Sequence, residues 1–321
     1  RVICPANSYI GYHANASFYA VRSVDKSTCD KHIEKECMRG GPKGYACPWV
    51  TPYPGGLTES TWCGQCYECV KSCPLDNMSV KYRMIGKDIA NMAVLAKRRF
   101  GMAWVGFIRF NLGIFYELVF FGSFWALKDW GNMGIIFGVN LFNFGVLSPT
   151  TSAFQMWLVW AVIVAGVSLV AYPAVFFVFT SLAKMAAGAK NLSTKNDVFV
   201  PFTYALAPYG LFIWLAFTLN LILVNWAYPL SRFSDPMGWG WESSPIIPVE
   251  GLKAAWNPIA PELLPYILMP IVLIGLALAI NSTYNIAVKL FGDQRMAFKS
   301  TAVMAILHTG MALFFAWIII G

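Results

Sequence analysis

Apolar positions along this chain fall into long runs separated by short polar breaks, but only after about residue 100. Five runs, roughly 103–127, 153–183, 201–228, 263–289 and 301–320, are long enough to cross a bilayer, since a membrane helix needs about 20 mainly apolar residues. A sixth run, 132–147 (NMGIIFGVNLFNFGVL), is shorter and carries Gly and Asn. It is expected to be a re-entrant or interfacial piece rather than a span. The first 100 residues contain no such run. The pattern divides the chain into a polar head over 1–80, a basic juxtamembrane linker over 81–100 and a transmembrane helical domain over 101–321.

Composition supports this division. The chain is 57% hydrophobic and only 12% charged, against roughly 25% charged in soluble domains. Of its 40 charged residues, 22 precede residue 101. Lys and Arg are distributed asymmetrically between the connections, and cytoplasmic loops carry the excess. Lys81, Arg83, Lys87, Lys97, Arg98 and Arg99 precede the first run. Lys184, Lys190 and Lys195 follow the second, and Lys289, Arg295 and Lys299 follow the fourth. The remaining connections, 128–152 and 229–262, are poorer in Lys and Arg. This alternation expects a multi-pass protein of the cell (inner) membrane, with the head cytoplasmic and the C-terminus outside. It also accounts for the net charge of +8 as a topology signal. No basic–aromatic groove pattern points to nucleic acid as a partner. The chain opens at Arg1 without a signal peptide, which reads as a truncated start.

The chemistry is concentrated in the head. All eight cysteines, Cys4, Cys29, Cys37, Cys47, Cys63, Cys66, Cys69 and Cys73, lie there. A Cys-dense segment in a reducing compartment points to metal rather than disulfides. The stretch 63-CGQCYECVKSCP-74 has the spacing C-x2-C-x2-C-x3-C-P. In that run the first three thiolates hold one four-iron cluster and the fourth serves another. A zinc site needs pairs separated by a longer spacer. The second half-motif should also end in Cys-Pro, and Cys47-Pro48 and Cys4-Pro5 both qualify. The stretch 29–48 reads as an expanded half-motif with Cys29, Cys37 and Cys47. Cluster one is then expected on Cys63, Cys66, Cys69 and Cys47. Cluster two is expected on Cys29, Cys37, Cys73 and an eighth ligand. Cys4 completes the count of eight thiolates. His32 is the alternative, at the C-x2-H position, and histidine replaces cysteine on iron in Rieske centres.

With Arg1-Val2, Cys4-Pro5, Gly11 and 21-VRSVDKSTC-29 ahead of the two half-motifs, residues 1–80 resemble the membrane-bound polyferredoxins related to the NapH and NosR proteins of nitrate and nitrous-oxide respiration. The resemblance implies a cytoplasmic two-cluster domain beside the membrane that passes electrons between the quinone pool and a redox partner. The chain departs from that pattern in the expanded first half-motif and in placing its spans after the cysteines. The expected fold is thus a membrane α-helical bundle of about five transmembrane helices with an N-terminal bacterial-ferredoxin-like iron–sulfur domain.

Few residues in the spans are ionisable. The chain has only His13, His32 and His308, which argues against a transmembrane haem held by this chain alone. Intramembrane ionisable residues are functional candidates by default. Glu117 and His308 are the candidates for quinone or proton chemistry, and Arg109 is placed to snorkel. Asn140, Asn143, Asn281 and Asn285 are expected to join helices. There is no phosphate-binding G-x-x-x-x-G-K-[ST] run and no Ser/His/Asp set, which disfavours nucleotide-driven and hydrolytic activities. The chain is expected to be an electron-transfer subunit of a respiratory complex, relaying electrons through two [4Fe-4S] clusters. Its expected partners are the other subunits, the quinone pool or a soluble carrier, and the bilayer. The alternatives are a quinone-reactive oxidoreductase subunit with its own site and a redox-sensing membrane regulator.

Overall fold

The computed structural model describes residues 11–49, 53–60, 63–95, 100–120, 161–225 and 261–320. Cys4, the short run 132–147 and the outer ends of several expected spans lie outside the described residues.

The head is built on one antiparallel ribbon. Strand β1 (Tyr19–Ser23) pairs with β2 (Met78–Tyr82), with Val21 opposite Val80 and Ser23 opposite Met78. The strands bracket every described cysteine. Among the described residues between them lie short helical turns, α1 (Lys26–Lys31), α2 (Glu36–Arg39), a 3-10 turn (Pro54–Gly56) and α3 (Glu68–Lys71), and one isolated bridge between Gly41 and Gly44. Asp25 caps α1 and accepts from the amides of Ser27 and Thr28, both at 3.0 Å. Such a cap satisfies the otherwise free first-turn amides. The expected linker is already structured: Lys81 is in β2, and Lys87 opens α4 (Lys87–Leu95).

The rest of the described chain is almost entirely helical. It comprises α5 (Phe100–Phe120), α6 (Tyr172–Ala187), α7 (Val200–Thr203), α8 (Leu206–Asn225), α9 (Leu264–Phe291) and α10 (Gln294–Ile320). Four stretches are long and apolar enough to cross a membrane: Ala161–Ala187, Thr194–Leu223, Leu264–Phe291 and Gln294–Ile320. The protein is therefore a membrane helical protein by length and composition. Exposed apolar side chains such as Val178, Leu273, Ile306 and Leu313 agree with a lipid-facing surface. Two expected loops are shorter than the sequence pattern suggested. Lys184 lies in the last turn of α6, and Arg295 and Lys299 lie at the start of α10. In each case a left-handed glycine, Gly188 or Gly292, with φ of 71°, makes the break, so charged residues that resemble loop sequence are helical.

By contacts the chain divides into two units. One comprises Arg1–Asn111, Ile163–Leu211 and Gly275–Gly310, and the other Leu112–Val162, Phe212–Ile274 and Met311–Gly321. In the first unit an aromatic cluster forms the core. Phe107 packs against Tyr172, Phe176 and Phe199 at ring distances of 5.5, 5.2 and 5.7 Å. Offset and edge contacts of this kind add to area burial. The helical turn at 11–14 docks here: Tyr12 donates to the Thr203 carbonyl at 3.2 Å, and Gly106 admits its ring, because a Cβ would lie 2.6 Å from the Tyr12 hydroxyl. In the second unit α5 and α8 approach at Gly113, where a Cβ would meet Ile213 at 2.9 Å.

Candidate metal centre

Seven cysteines are described, and all seven are free thiols. They come together from segments more than 40 residues apart. Cys69 and Cys73 are buried with Val21 and Met78 of the ribbon, and Cys29, Cys37 and Cys63 pack against this core. Cys66 is exposed.

The neighbours separate into two overlapping sets. Cys29, Cys37 and Cys73 line one small cavity, together with His32, Lys35, Tyr53 and Asn77. Burial, with the neighbouring Cys29 and Cys73 adding to it and Lys35 opposing it, pushes the Cys37 thiol up to about 11. Burial likewise pushes the Cys69 thiol up to about 12, with Cys63, Cys47, Cys37 and Cys66 as the charged neighbours that add to it. Cys63 is raised by burial but partly relieved by the Gln65 amide and by Arg22. Crowded, half-buried thiols repel one another as thiolates, so the arrangement favours a bound cation or protonation.

The chain sets this geometry locally. Lys35, Gln65, Tyr67 and Asp76 have φ between 47° and 62°. Left-handed residues within cysteine loops are how a backbone forms concavities that suit anions and iron–sulfur groups. Gly55 lies so close to Cys29 that a Cβ would meet its sulfur at 2.5 Å. Gly64 is covered by Trp49, whose ring would be 2.0 Å from a Cβ.

Sequence reasoning did not single out Asn77. Its backbone amide donates to Cys73 Sγ at 3.3 Å, and its Nδ2 donates to Cys29 Sγ at 3.1 Å and to the Asp25 carbonyl at 2.6 Å. Its Oδ1 accepts from the Asp25 amide at 2.9 Å. One side chain thus links the exit of the second cysteine run to the entrance of the first. The only available signal was an Asn four residues after Cys73, a position that many turns use.

His32 lines the cavity, but its Nε2 lies 3.2 Å from Glu36 Oε2. His32, Glu34 and Glu36 bring their ligand atoms within 4.8 Å of one another. Cys4, the expected eighth ligand to which His32 is the alternative, is outside the described residues.

The intramembrane candidates are separate from this centre. His308 is buried in the first unit, with Nε2 3.4 Å from Thr283 Oγ1 and its backbone carbonyl accepting from Tyr209 at 3.0 Å. Glu117 is buried in the second unit and accepts from Asn220. His13, outside the spans, is buried as well; burial and the charge of Arg109 lower it to about 4.

Comparison with known proteins returns no matching family model, no matching curated protein and no matching solved structure.

Proposed function

We propose that the head is a ferredoxin-like iron–sulfur domain holding two [4Fe-4S] clusters, and that the chain is a membrane-bound electron-transfer subunit of a respiratory redox complex. The observation that carries this reading is the cavity shared by Cys29, Cys37 and Cys73. Cys73 shares this cavity with the first cysteine run, which supports an exchange of the last ligand between two half-motifs. Cys63, Cys66, Cys69 and Cys47 would hold cluster one. Cys29, Cys37, Cys73 and either Cys4 or His32 would hold cluster two. Bound there, each cluster supplies one-electron transfer. Asn77 holds Cys29 and Cys73 in place and offers N–H groups to their sulfurs. Val21, Met78 and the buried face of the ribbon exclude water from one side. Cys66, which is exposed, is where a partner protein or carrier would approach. The polyferredoxin kinship of the NapH and NosR type, the five-span bundle, the cytoplasmic head at the inner membrane and the exchange of electrons with the quinone pool belong to this same reading. The Lys/Arg distribution supports the orientation.

The test is iron and acid-labile sulfide quantitation with EPR of the reduced, purified chain. About eight irons per chain are expected for two four-iron clusters. About four irons overturns the two-cluster assignment, and none overturns the function. Cys4→Ser and His32→Ala then separate the two choices for the eighth ligand, because only the true ligand's loss changes the second EPR signal.

A further inference from the structure

Glu117 of α5 is 0% exposed and Asn220 of α8 is 4% exposed. Asn220 Nδ2 donates to Glu117 Oε1 at 2.6 Å. This leaves Glu117 Oε2 and Asn220 Oδ1, two oxygens of the same pair, buried without a hydrogen-bond partner. The described ion pairs do not include Glu117. Among the described residues of this second unit there is no Lys, Arg or His. The other titratable side chains there are Tyr116, Glu262 and Tyr266, all exposed, and none of them donates to Oε2.

An ionised carboxylate in this position would be unpaired in an apolar surrounding, which costs several kcal/mol or more. Two buried acceptors would also lack donors. One proton on Oε2 removes both problems. It neutralises the carboxylate, and it supplies the O–H that Asn220 Oδ1 lacks. A carboxylic acid and a primary amide each have one donor and one acceptor to exchange, so a protonated Glu117 is able to add a second bond, to Asn220 Oδ1, beside the one already formed. We propose that Glu117 and Asn220 form an intramembrane proton-binding site, with the proton on Glu117 Oε2 and Asn220 as the residue that holds it. Loading is a single step: an aqueous proton adds to the carboxylate to give the acid, and no electron moves. The site therefore needs no electron donor and does not depend on the clusters.

The close approach at Gly113 and Ile213 positions the pair. Glu117 follows Gly113 by four residues and Asn220 follows Ile213 by seven, so each lies on the same helix face as its neighbour at the crossing.

The test is infrared spectroscopy of the full chain in phosphatidylcholine vesicles at pH 7, with iron quantified on the same sample. The difference between wild type and Glu117→Gln should contain the carbonyl stretch of a protonated carboxylic acid, shifted by deuterium oxide. Glu117→Gln keeps a donor and an acceptor to exchange with Asn220 and so should fold. Asn220→Leu should move the acid band to higher frequency as its hydrogen bonds are lost. Loss of a carboxylate band pair in the difference spectrum overturns the proposal. So does disappearance of the acid band on adding sodium at constant pH, which would assign the oxygens to a monovalent cation. If Glu117→Gln fails to fold, comparison of wild type with Asn220→Leu carries the test, and an unmoved acid region overturns the proposal. A chain with no iron but an intact acid band would sink the cluster reading alone.

Discussion

At Asn77 a single side chain connects the two cysteine runs through the Asp25 backbone and the Cys29 sulfur. Asn77→Ala leaves the Asp25 amide and carbonyl without these partners. Unsatisfied groups of this kind cost about 1–3 kcal/mol each, so the melting point of the detergent-solubilised chain should fall clearly, and an unchanged melt would show that water replaces the bonds. The thiols set a pH dependence. Cys37 and Cys69 are raised in the folded chain, from an ordinary value of 9.0 to about 11 and about 12. A raised folded value means the folded state keeps its protons longer than the unfolded one. The stability this provides is complete below about pH 9 and is lost as pH rises toward 11–12. The melting point of metal-free protein should therefore fall over that window. Cys37→Ser with Cys69→Ser should flatten the fall, and a window unchanged by that double variant would show that other groups set it.

Helix ends, more than helix interiors, separate the elements. Gly188 closes α6 with its amide bonded to the Met185 carbonyl at 3.0 Å and the next amide, of Ala189, bonded to Lys184 at 3.3 Å. A Cβ there would meet nothing within 4 Å, so the whole penalty for Gly188→Ala is the left-handed φ of 71°, worth about 1–2 kcal/mol. Gly310 is also in open space but is within α10 at ordinary helical φ. Gly310→Ala should be neutral or stabilising by up to about 1 kcal/mol. Parallel melts of the two variants check the contrast, and equal effects would remove the conformational explanation. The long apolar runs made the helices legible, because a lipid-facing helix is apolar all round. Their ends were less legible, because Lys184, Arg295 and Lys299 are polar yet helical.

At the scale of the whole molecule, an ionic network ties the ribbon of the head to α4 within the first unit. Asp88, near the start of α4, pairs with both Arg22 of β1 and Arg83 just after β2. Arg83 also donates to the carbonyls of Ser17 and Ala14, both at 2.9 Å, and Ser60 donates to Asp88 at 3.3 Å. Burial, with Arg22 beside it, lowers Arg83 to about 10. Removing the acid takes from two partly buried guanidinium groups the carboxylate they share. Asp88→Ala should cost about 3–5 kcal/mol, in the range for breaking a buried pair. It should also hasten release of the head in limited proteolysis of the full chain, and wild-type resistance would count against the network as the tether. Nothing in the sequence singled out Asp88 among the polar residues of 1–100, because its significance depends on two arginines 66 and 5 positions away.

The sequence by itself determined that this is a membrane helical protein with a cysteine-rich head, because hydrophobic run length and cysteine spacing are local quantities that physics reads one segment at a time. The linear pattern also limited the ligand question to a few thiols and one histidine. Only the tertiary structure decided which thiols are neighbours, that Asn77 links them, that His32 leans on Glu36, and that Glu117 meets Asn220 rather than a cation. These facts depend on the approach of segments distant in the chain, which burial and chain connectivity fix together and which no local pattern encodes.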